Sequence, residues 1–273
     1  MGSLEFSHHT DVGKKRTHNE DSLVAIPPWR DPAFSCQSCF FGVADGMGGH
    51  AAGEVASRLA IEGILYWMAH NQITSLSQSH IENAFGEASS RIWSYAQEHQ
   101  EKKGMGTTLT GILIHGSQAL LGHIGDSRCY LLREGKLRQI SRDHTLVAEQ
   151  IRQGKLTPED AKKHPMRHIL SRAMGVREFA EVDTMLLDLA PGDLFLFCTD
   201  GVYNWMPDER LEQILGKAEF PQVTRQLVEE AVQVGGDDNA TAVMVRIREL
   251  PVDIPGRFSL GRVKGLWYDW CNF

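Results

Sequence analysis

The sequence lacks the runs and clusters that mark several classes of protein. No stretch approaches the roughly 20 continuous apolar residues that a membrane-spanning helix needs. Met1–Asp11 contains no apolar run with flanking positive charge, so we expect no signal peptide, no membrane span and a cytoplasmic location. Five cysteines in 273 residues are too few for the disulfide framework of a small secreted protein.

Positive charge is scarce and nowhere concentrated. Lys and Arg number 28 against 35 Asp and Glu, which gives a net charge of −7. No basic block is interleaved with aromatic residues, so nucleic acid is not expected as a partner, because affinity for a phosphate backbone rests on clustered positive charge. An acidic chain that handles phosphate must supply positive charge locally, from a few arginines or from bound metal.

The cysteines give no sign of catalysis. Cys36 and Cys39 form a CxxC without a second pair at zinc-site spacing, and the motif leads into a strand-like segment instead of opening a helix. Cys198 is not followed by a glycine-rich phosphate loop that ends in arginine, as a phosphate-cleaving thiolate needs. We expect all three to be structural.

The sequence does contain short strands and amphipathic helices. Apolar β-formers predict strands at Leu23–Ile26 and Cys39–Ala44. Apolar residues at helical spacing predict two consecutive helices over 51–70 and 79–100. Between Thr107 and Ile140, short apolar runs separated by glycine-containing turns predict antiparallel strands, with Glu134-Gly135 as a tight hairpin turn.

The second half repeats this mixture around a polar segment. Thr145–Ala161 is polar and broken by glycine, which predicts a surface subdomain, and strands are predicted at Glu181–Leu189, Asp193–Cys198 and Ala240–Ile247. A helix is expected between the last two strands, with its apolar face formed by Val223, Leu227, Ala231 and Val234. The tail after Leu250 carries several aromatic residues that are costly to leave in water, so we expect it to pack back on the domain.

Aspartates at strand ends carry the functional signal. Each follows or precedes a predicted strand, and several adjoin glycine: Asp45, Asp126, Asp200 and the pair Asp237-Asp238. Singly, such acids are common turn residues. Together, at one rim of a sheet sandwich, they would suit Mg²⁺ or Mn²⁺, which bind oxygen ligands, few of them protein carboxylates. A neighbouring glycine also lets a backbone carbonyl approach an ion.

These acids predict a site for phosphate chemistry. Two ions a few Å apart can orient a phosphate ester and lower the pKa of a water between them, which then attacks in line. Such a site needs a cation for the remaining phosphate oxygens, and Arg16 is the candidate because guanidinium binds phosphate with two parallel hydrogen bonds. Glu20 and Asp21 are expected to reach metal-bound waters without touching the ions.

Several motifs in order resemble those of the metal-dependent, type 2C (PPM) protein serine/threonine phosphatase family, in its bacterial form. Each motif is weak alone, but the ordered series is specific and covers about residues 11 to 247. The matching segments are Arg16–Asp21 (RTHNED), Val43–His50 (VADGMGGH), Gly106–Thr108 (GTT), Gly125–Tyr130 (GDSRCY), Asp143–Thr145 (DHT), Leu170–Gly175 (LSRAMG), Thr199–Gly201 (TDG) and Asp237–Thr241 (DDNAT).

The resemblance implies an α+β fold of four αββα layers, two mostly antiparallel sheets flanked by helix pairs, with the metals at one end. It implies that Asp45 bridges two core Mn²⁺ or Mg²⁺ ions, with the Gly46 carbonyl on one of them. Asp200 and Asp238 complete the other ion's ligands, and Asp126 with Asp200 binds a third, weaker ion. Arg16 holds the substrate phosphate.

The resemblance also implies how the chain is divided into domains. At one position the sequence departs from the family pattern. Residues 1–250 form the catalytic domain, 145–170 its mobile flap, and 251–273 an aromatic tail. Animal members carry a His directly after the first Asp-Gly as general acid for the leaving alcohol; here Met47 stands there, so the proton donor is open. His50 and His144 are close to the motifs, but a structural role is favoured for both.

Protein nucleophiles are not expected. Ser127 and Thr199 have no His–acid pair placed to activate them, and a metal-activated water makes them unnecessary. The expected partners are phosphoproteins, Ser/Thr kinases or their substrates, and nothing indicates an obligate dimer, so a monomer is expected. Two alternatives stay open: a phosphoprotein-binding pseudophosphatase without turnover, and a small-molecule metallohydrolase on the same fold.

Overall fold

The computed structural model describes residues 3–26, 38–48, 52–161, 163–217, 220 and 222–250. Predictions that fall on Cys36, His50 and the tail 251–273 lie outside these residues. Of the helices that the structure describes, none combines the length and the apolar character needed to cross a bilayer.

The described strands form two sheets, and every pair within them is antiparallel. The five-stranded sheet has the spatial order β1 (Ser3–Asp11), β11 (Ala240–Glu249), β10 (Leu194–Cys198), β7 (Arg128–Arg133) and β8 (Lys136–Gln139). The six-stranded sheet has the order β2 (Asp21–Ile26), β3 (Ser38–Met47), β5 (Leu109–His115), β6 (Gln118–Ile124) and β9 (Asp183–Asp188), with β4 (Gly106–Thr107) on the end of β3.

Two groups of helices cover the outer faces of the sheets. The described helices are α1 (Ala52–His70), α2 (Gln78–Glu98), α3 (Leu146–Arg152), α4 (Pro158–Ala161), α5 (Asp200–Tyr203), α6 (Asp208–Gly216) and α7 (Val223–Val234), with one 3₁₀ turn at Gln100–Lys102. The long helices α1 and α2 pack on the six-stranded sheet, and α5, α6 and α7 pack on the five-stranded sheet.

Three apolar clusters hold the layers together. Between the sheets, large side chains such as Phe41, Phe195 and Phe197 are fully buried. Each sheet has its other face covered by helices, which explains why β3 and β10 are apolar at nearly every position instead of alternating. The predicted four-layer αββα architecture is confirmed.

The local predictions hold with a few differences. Glu134 and Gly135 both take positive φ angles, 53° and 74°, as a two-residue hairpin turn requires. Val234 was predicted on the buried face of its helix, but it is 62% exposed, because it is the last residue of α7 and projects beyond the packed turns. No sequence pattern predicted β1 or α6. β1 contains few apolar residues, and the apolar residues of α6 extend over only a short segment.

Candidate active site

Acidic residues from both sheets meet at one end of the sandwich. Asp21 at the start of β2 stands opposite Asp45 near the end of β3 in the ladder of the six-stranded sheet. The charges of Asp21, Asp126, Asp200 and Asp238 all act on Asp45. The acids predicted at strand ends therefore lie near one another, and we call Asp21, Asp45, Asp126, Asp200 and Asp238 the metal rim, after the prediction that they serve an ion site.

Asp45 is held by its backbone. Its N–H donates to the Thr108 hydroxyl (2.8 Å), and its carbonyl accepts from the Thr107 hydroxyl (2.8 Å) and the Thr108 N–H (2.9 Å). These bonds use the main chain and leave the carboxylate for other partners. Burial, followed by Asp21, Asp200, Asp126 and Asp238, raises the pKa of this carboxyl well above its usual range.

Gly46 lies where two other segments come closest to β3. A Cβ at this position would fall 2.0 Å from the Gly53 carbonyl oxygen and 2.6 Å from the Glu20 carbonyl oxygen. The Gly46 N–H donates to that Glu20 carbonyl (3.1 Å). Glycine is therefore required here for packing, whether or not its own carbonyl binds an ion.

Asp21 is held by hydroxyl groups from the other sheet. The Thr199 hydroxyl donates to its carboxylate (2.8 Å), and Thr241 supplies a second hydrogen bond. Burial raises the pKa of Asp21 to about 7 despite these bonds, and the charges of Asp200 and Asp238 add to the shift. Thr199 thus orients an acidic side chain. This agrees with the prediction that it is not a nucleophile, since it has no activating base.

Asp126 and Asp200 complete the buried part of the rim. Burial raises the pKa of Asp126 to about 8, with Asp200 and Asp143 adding to the shift. Burial also raises the pKa of Asp200 to about 6, with Asp238 adding to it and the Asn204 amide (3.2 Å) opposing it. Carboxyls with raised pKa values gain most from a nearby cation, which would favour their charged form.

Arg16 lies at the exposed side of the rim. Its Nη2 contacts a carboxylate oxygen of Asp238 at 2.8 Å, and its Nη1 is 3.6 Å from Glu20. The Arg16 side chain is 46% exposed, so much of its guanidinium faces solvent. Arg16 is thus where a phosphate bound at the rim could receive further hydrogen bonds.

Asn239 is a contributor that sequence reasoning did not single out. Its buried amide oxygen accepts from the Glu20 N–H (2.8 Å), while its amide nitrogen donates to the carbonyls of Val12 and His18, both at 2.9 Å. One side chain thus ties both ends of the loop that carries Arg16 to the start of β11. The Asp-Asn pair was visible in the sequence, but the loop that it binds lies more than 200 residues away.

His168 is a second residue that sequence reasoning missed. Its Nδ1 lies 3.8 Å from a carboxylate oxygen of Asp200, and its side chain is 54% exposed. It belongs to the 145–170 segment, which therefore adjoins the metal rim. No local pattern marks it, because tertiary packing alone brings this segment to Asp200.

His144, His123 and Ser127 have structural partners. His144 lies 3.3 Å from Asp183 and accepts from the Gly125 N–H, and His123 Nε2 donates to the Arg142 carbonyl (2.8 Å). Ser127 is fully buried against the Thr108 hydroxyl (2.7 Å).

Of the described thiols, Cys39 and Cys198 have no catalytic environment either. Cys39 and Cys198 are buried, and burial raises the pKa of both, that of Cys198 to about 12. A neutral buried thiol is neither a nucleophile nor a metal ligand.

The donor set fits a hard divalent cation. The rim offers carboxylates and backbone carbonyls with no thiolate, which suits Mg²⁺ or Mn²⁺. In the described ranges, no three His, Cys, Asp or Glu side chains already surround a single point as ion ligands.

Comparison with known proteins points to the same family that the sequence motifs resemble. The family model "Protein phosphatase 2C" matches residues 14–244. The "Serine/threonine phosphatase stp" of Listeria monocytogenes is 36% identical over 242 residues, which cover 86% of this chain and 93% of that protein.

Solved structures agree as well. The crystal structure of the Mycobacterium tuberculosis serine/threonine phosphatase PstP/Ppp matches with a TM-score of 0.81 and 35% identity, over 90% of this chain and 99% of that one. The catalytic domain of PstP in complex with 2 manganese ions matches with a TM-score of 0.79 and 34% identity over the same shares of the two chains.

Proposed function

The chain belongs to the protein phosphatase 2C family, and from this we propose how its metal rim removes phosphate from proteins. It is a metal-dependent protein serine/threonine phosphatase that hydrolyses phosphoserine and phosphothreonine. A related catalytic domain binds 2 manganese ions, which supports Mn²⁺ as the cofactor here. The pseudophosphatase alternative is not favoured, because Asp45, Asp126, Asp200 and Asp238 are all present.

The observation that carries the residue assignment is the convergence of buried carboxyls with raised pKa values. Asp45, Asp126 and Asp200 lie at three different strand ends, yet Asp126 and Asp200 raise the pKa of Asp45, Asp200 raises that of Asp126, and Asp238 raises that of Asp200. Arg16 brings one positive charge to this group. Keeping buried carboxylates of like charge close together costs free energy. Their proximity therefore supports a site at which a cation binds.

We assign the ligands as follows. Asp45, on which the charges of the other four acids act, would be a ligand of both core ions; the Gly46 carbonyl would bind one of them, and Asp200 and Asp238 the other. Asp126 with Asp200 holds a third, weaker ion. When bound, Mn²⁺ or Mg²⁺ neutralises phosphate charge and lowers the pKa of a water for in-line attack.

The remaining residues bind and orient. Arg16 donates to phosphate oxygens through its exposed N–H groups, and Asn239 holds the Arg16 loop in place. Asp21, fixed by Thr199, and Glu20 orient water at the rim by accepting hydrogen bonds. Met47 cannot give a proton to the leaving alcohol, so that proton comes from water at the rim.

The finer predictions remain part of this proposal. Residues 1–250 form the catalytic domain, 145–170 its flap and 251–273 an aromatic tail. The phosphoproteins acted on include Ser/Thr kinases or their substrates, and the protein works as a monomer in the cytoplasm. The contact of His168 with Asp200 supports a flap that adjoins the site.

Phosphate release from a phosphothreonine peptide tests the proposal. We expect release with Mn²⁺, none with excess chelator, and none from Asp238→Ala with Mn²⁺. Glu62→Ala is the matched control, because Glu62 also bonds an arginine, Arg58, but lies on the outside of α1. Wild-type turnover by Asp238→Ala would contradict the ligand assignment. Faster hydrolysis of a small phosphate ester than of any phosphopeptide would favour the small-molecule alternative.

A further inference from the structure

Exposed apolar side chains are concentrated in one segment of the chain. In the part of the chain that the structure describes, eight large apolar side chains are exposed, and six of them lie between residues 166 and 186. Among these, Val176 is 42% and Phe179 is 79% exposed. Apolar side chains exposed singly are ordinary, so such a side chain indicates a contact surface only where it lies beside a site and another apolar group.

Val176 reaches the strand that carries Asp45. A Cβ placed on Gly106 would lie 2.7 Å from the terminal methyl of Met47 and 2.9 Å from a methyl of Val176, so the two side chains converge over Gly106. Gly106 pairs with Met47, two residues beyond Asp45, in the β3–β4 ladder. We call Met47 and Val176, together with the exposed Phe179 three residues further along the chain, the apolar shelf.

The backbone of the apolar shelf is anchored. Thr107 and Met174 exchange two main-chain hydrogen bonds, of 3.1 and 2.8 Å. The buried Ser89 hydroxyl accepts from the Gly175 N–H and donates to the Arg177 carbonyl, both at 3.2 Å. Exposed apolar side chains on a fixed backbone lose little conformational freedom when a ligand covers them, which suits a binding surface.

The position of the apolar shelf defines its occupant. It adjoins Asp45, where, on the proposed function, the phosphate of a phosphoserine or phosphothreonine is cleaved. An extended peptide advances about 3.3 Å per residue, so the residues next to the phosphorylated one pass over surfaces within about 10 Å of it. The flanking residues of the substrate are therefore the groups that can cover the shelf during each turnover.

We propose that the apolar shelf binds a large apolar side chain of the phosphoprotein, within about three residues of the phosphorylated one. This makes the enzyme selective for phosphoserine and phosphothreonine in locally apolar segments. The inference rests on the proposed function and adds a substrate class to it. Because Phe179 and Val176 are exposed, burying them against a substrate side chain removes apolar surface from water on both partners.

A peptide scan tests the proposal. The parent peptide carries phosphothreonine between glycines and serines, and six derivatives place one leucine at each of the three positions before and after it. We expect kcat/KM with Mn²⁺ to rise about 10-fold at one or two positions. In the double variant Val176→Ser, Phe179→Ser the ratio of leucine peptide to parent falls below about 2. The ratio is taken within each variant, so general damage cancels.

Leu186→Ser is the matched control, because Leu186 is 53% exposed on β9 and does not belong to the apolar shelf. It should keep the wild-type ratio. Equal ratios for all peptides in the wild type, or an unchanged ratio in the double variant, would overturn the proposal. So would a wild-type dimer that the double variant turns into a monomer in sedimentation, since a second copy would then cover the shelf. Absence of release from the parent peptide would instead contradict the proposed function.

Discussion

Two groups of buried aspartates in the same sandwich have opposite surroundings. Asp193, whose side chain is 1% exposed, makes two hydrogen bonds of 2.6 Å with Arg133, and Asp143 makes an equivalent pair with Arg128. At the metal rim, the charges of neighbouring aspartates raise the pKa values of Asp45, Asp126 and Asp200.

The difference separates acids that stabilise the fold from acids that serve the site. A buried carboxylate with a bidentate arginine has its charge compensated and its lone pairs used. A buried carboxylate among like charges destabilises the folded chain until a cation binds. We therefore expect substitutions in the two groups to have opposite effects on activity and stability.

The largest expected effect is on turnover at the metal rim. Asp45→Asn keeps the shape of the side chain but removes the charge that we assign to both core ions. We expect kcat/KM for a phosphothreonine peptide to fall by more than about 100-fold, since losing even a supporting partner of a metal ligand costs 10–100-fold. Asp193→Asn should keep wild-type kcat/KM per folded molecule. Equal losses in the two variants would remove the distinction.

The next effect is on stability at the paired acids. Asp193→Asn removes the charge that compensates Arg133 and weakens the bond from the Ala190 N–H (2.8 Å). We expect the free energy of unfolding to fall by about 2 kcal/mol, as for lost hydrogen bonds to charged groups, because the Arg133 side chain is 39% exposed and water can solvate it. Urea denaturation with chelator present measures it. A change smaller than that of the exposed control Glu62→Ala would show that the pair contributes nothing.

A buried base, His123, can be compared with the buried acids through the pH dependence of stability. Burial lowers the pKa of His123 from 6.5 to about 4, and the charge of the neighbouring His144 adds to the shift, while Arg142, Asp143 and Asp183 oppose it. The unfolded chain therefore binds a proton that the folded chain refuses, so stability is lost as pH falls below 6.5. We expect a loss of about 2 kcal/mol between pH 7 and 5 from this group.

Urea denaturation across that pH range measures this contribution. His123→Gln replaces the ring with an amide that does not titrate, so its stability should fall less steeply than that of the wild type over pH 7 to 5. Parallel curves for the two proteins would exclude His123 as a source of the slope.

The smallest expected effect concerns the Arg16 loop. Asn239→Ala removes the three hydrogen bonds that hold both ends of this loop, and we expect KM for a phosphopeptide to rise about 10-fold with a smaller change in kcat, because Arg16 binds phosphate. In an Arg16→Ala background the same change should have little further effect. Fully additive losses would show that Asn239 does not act through Arg16.

How much could be predicted depended on the range of each interaction. Asp45 and Asp200 were recognisable because strand, acid and glycine are adjacent in the sequence, and the ordered motifs placed them in one family. β1 gave no signal, since it is an edge strand whose side chains are mostly half-buried or exposed. Asn239 and His168 acquire their roles only from segments distant in sequence, which no local pattern records.

The most direct test of the metal rim is the free energy of unfolding of wild type and Asp45→Asn, each with chelator and with Mn²⁺. With chelator, Asp45→Asn should be the more stable protein, because it removes one of several mutually repelling buried charges. With saturating Mn²⁺ the order should reverse, since an ion that binds the folded wild type stabilises it by mass action. The account would be contradicted if, in chelator, the wild type were more stable than Asp45→Asn. It would also be contradicted if Mn²⁺ did not raise the free energy of unfolding of the wild type.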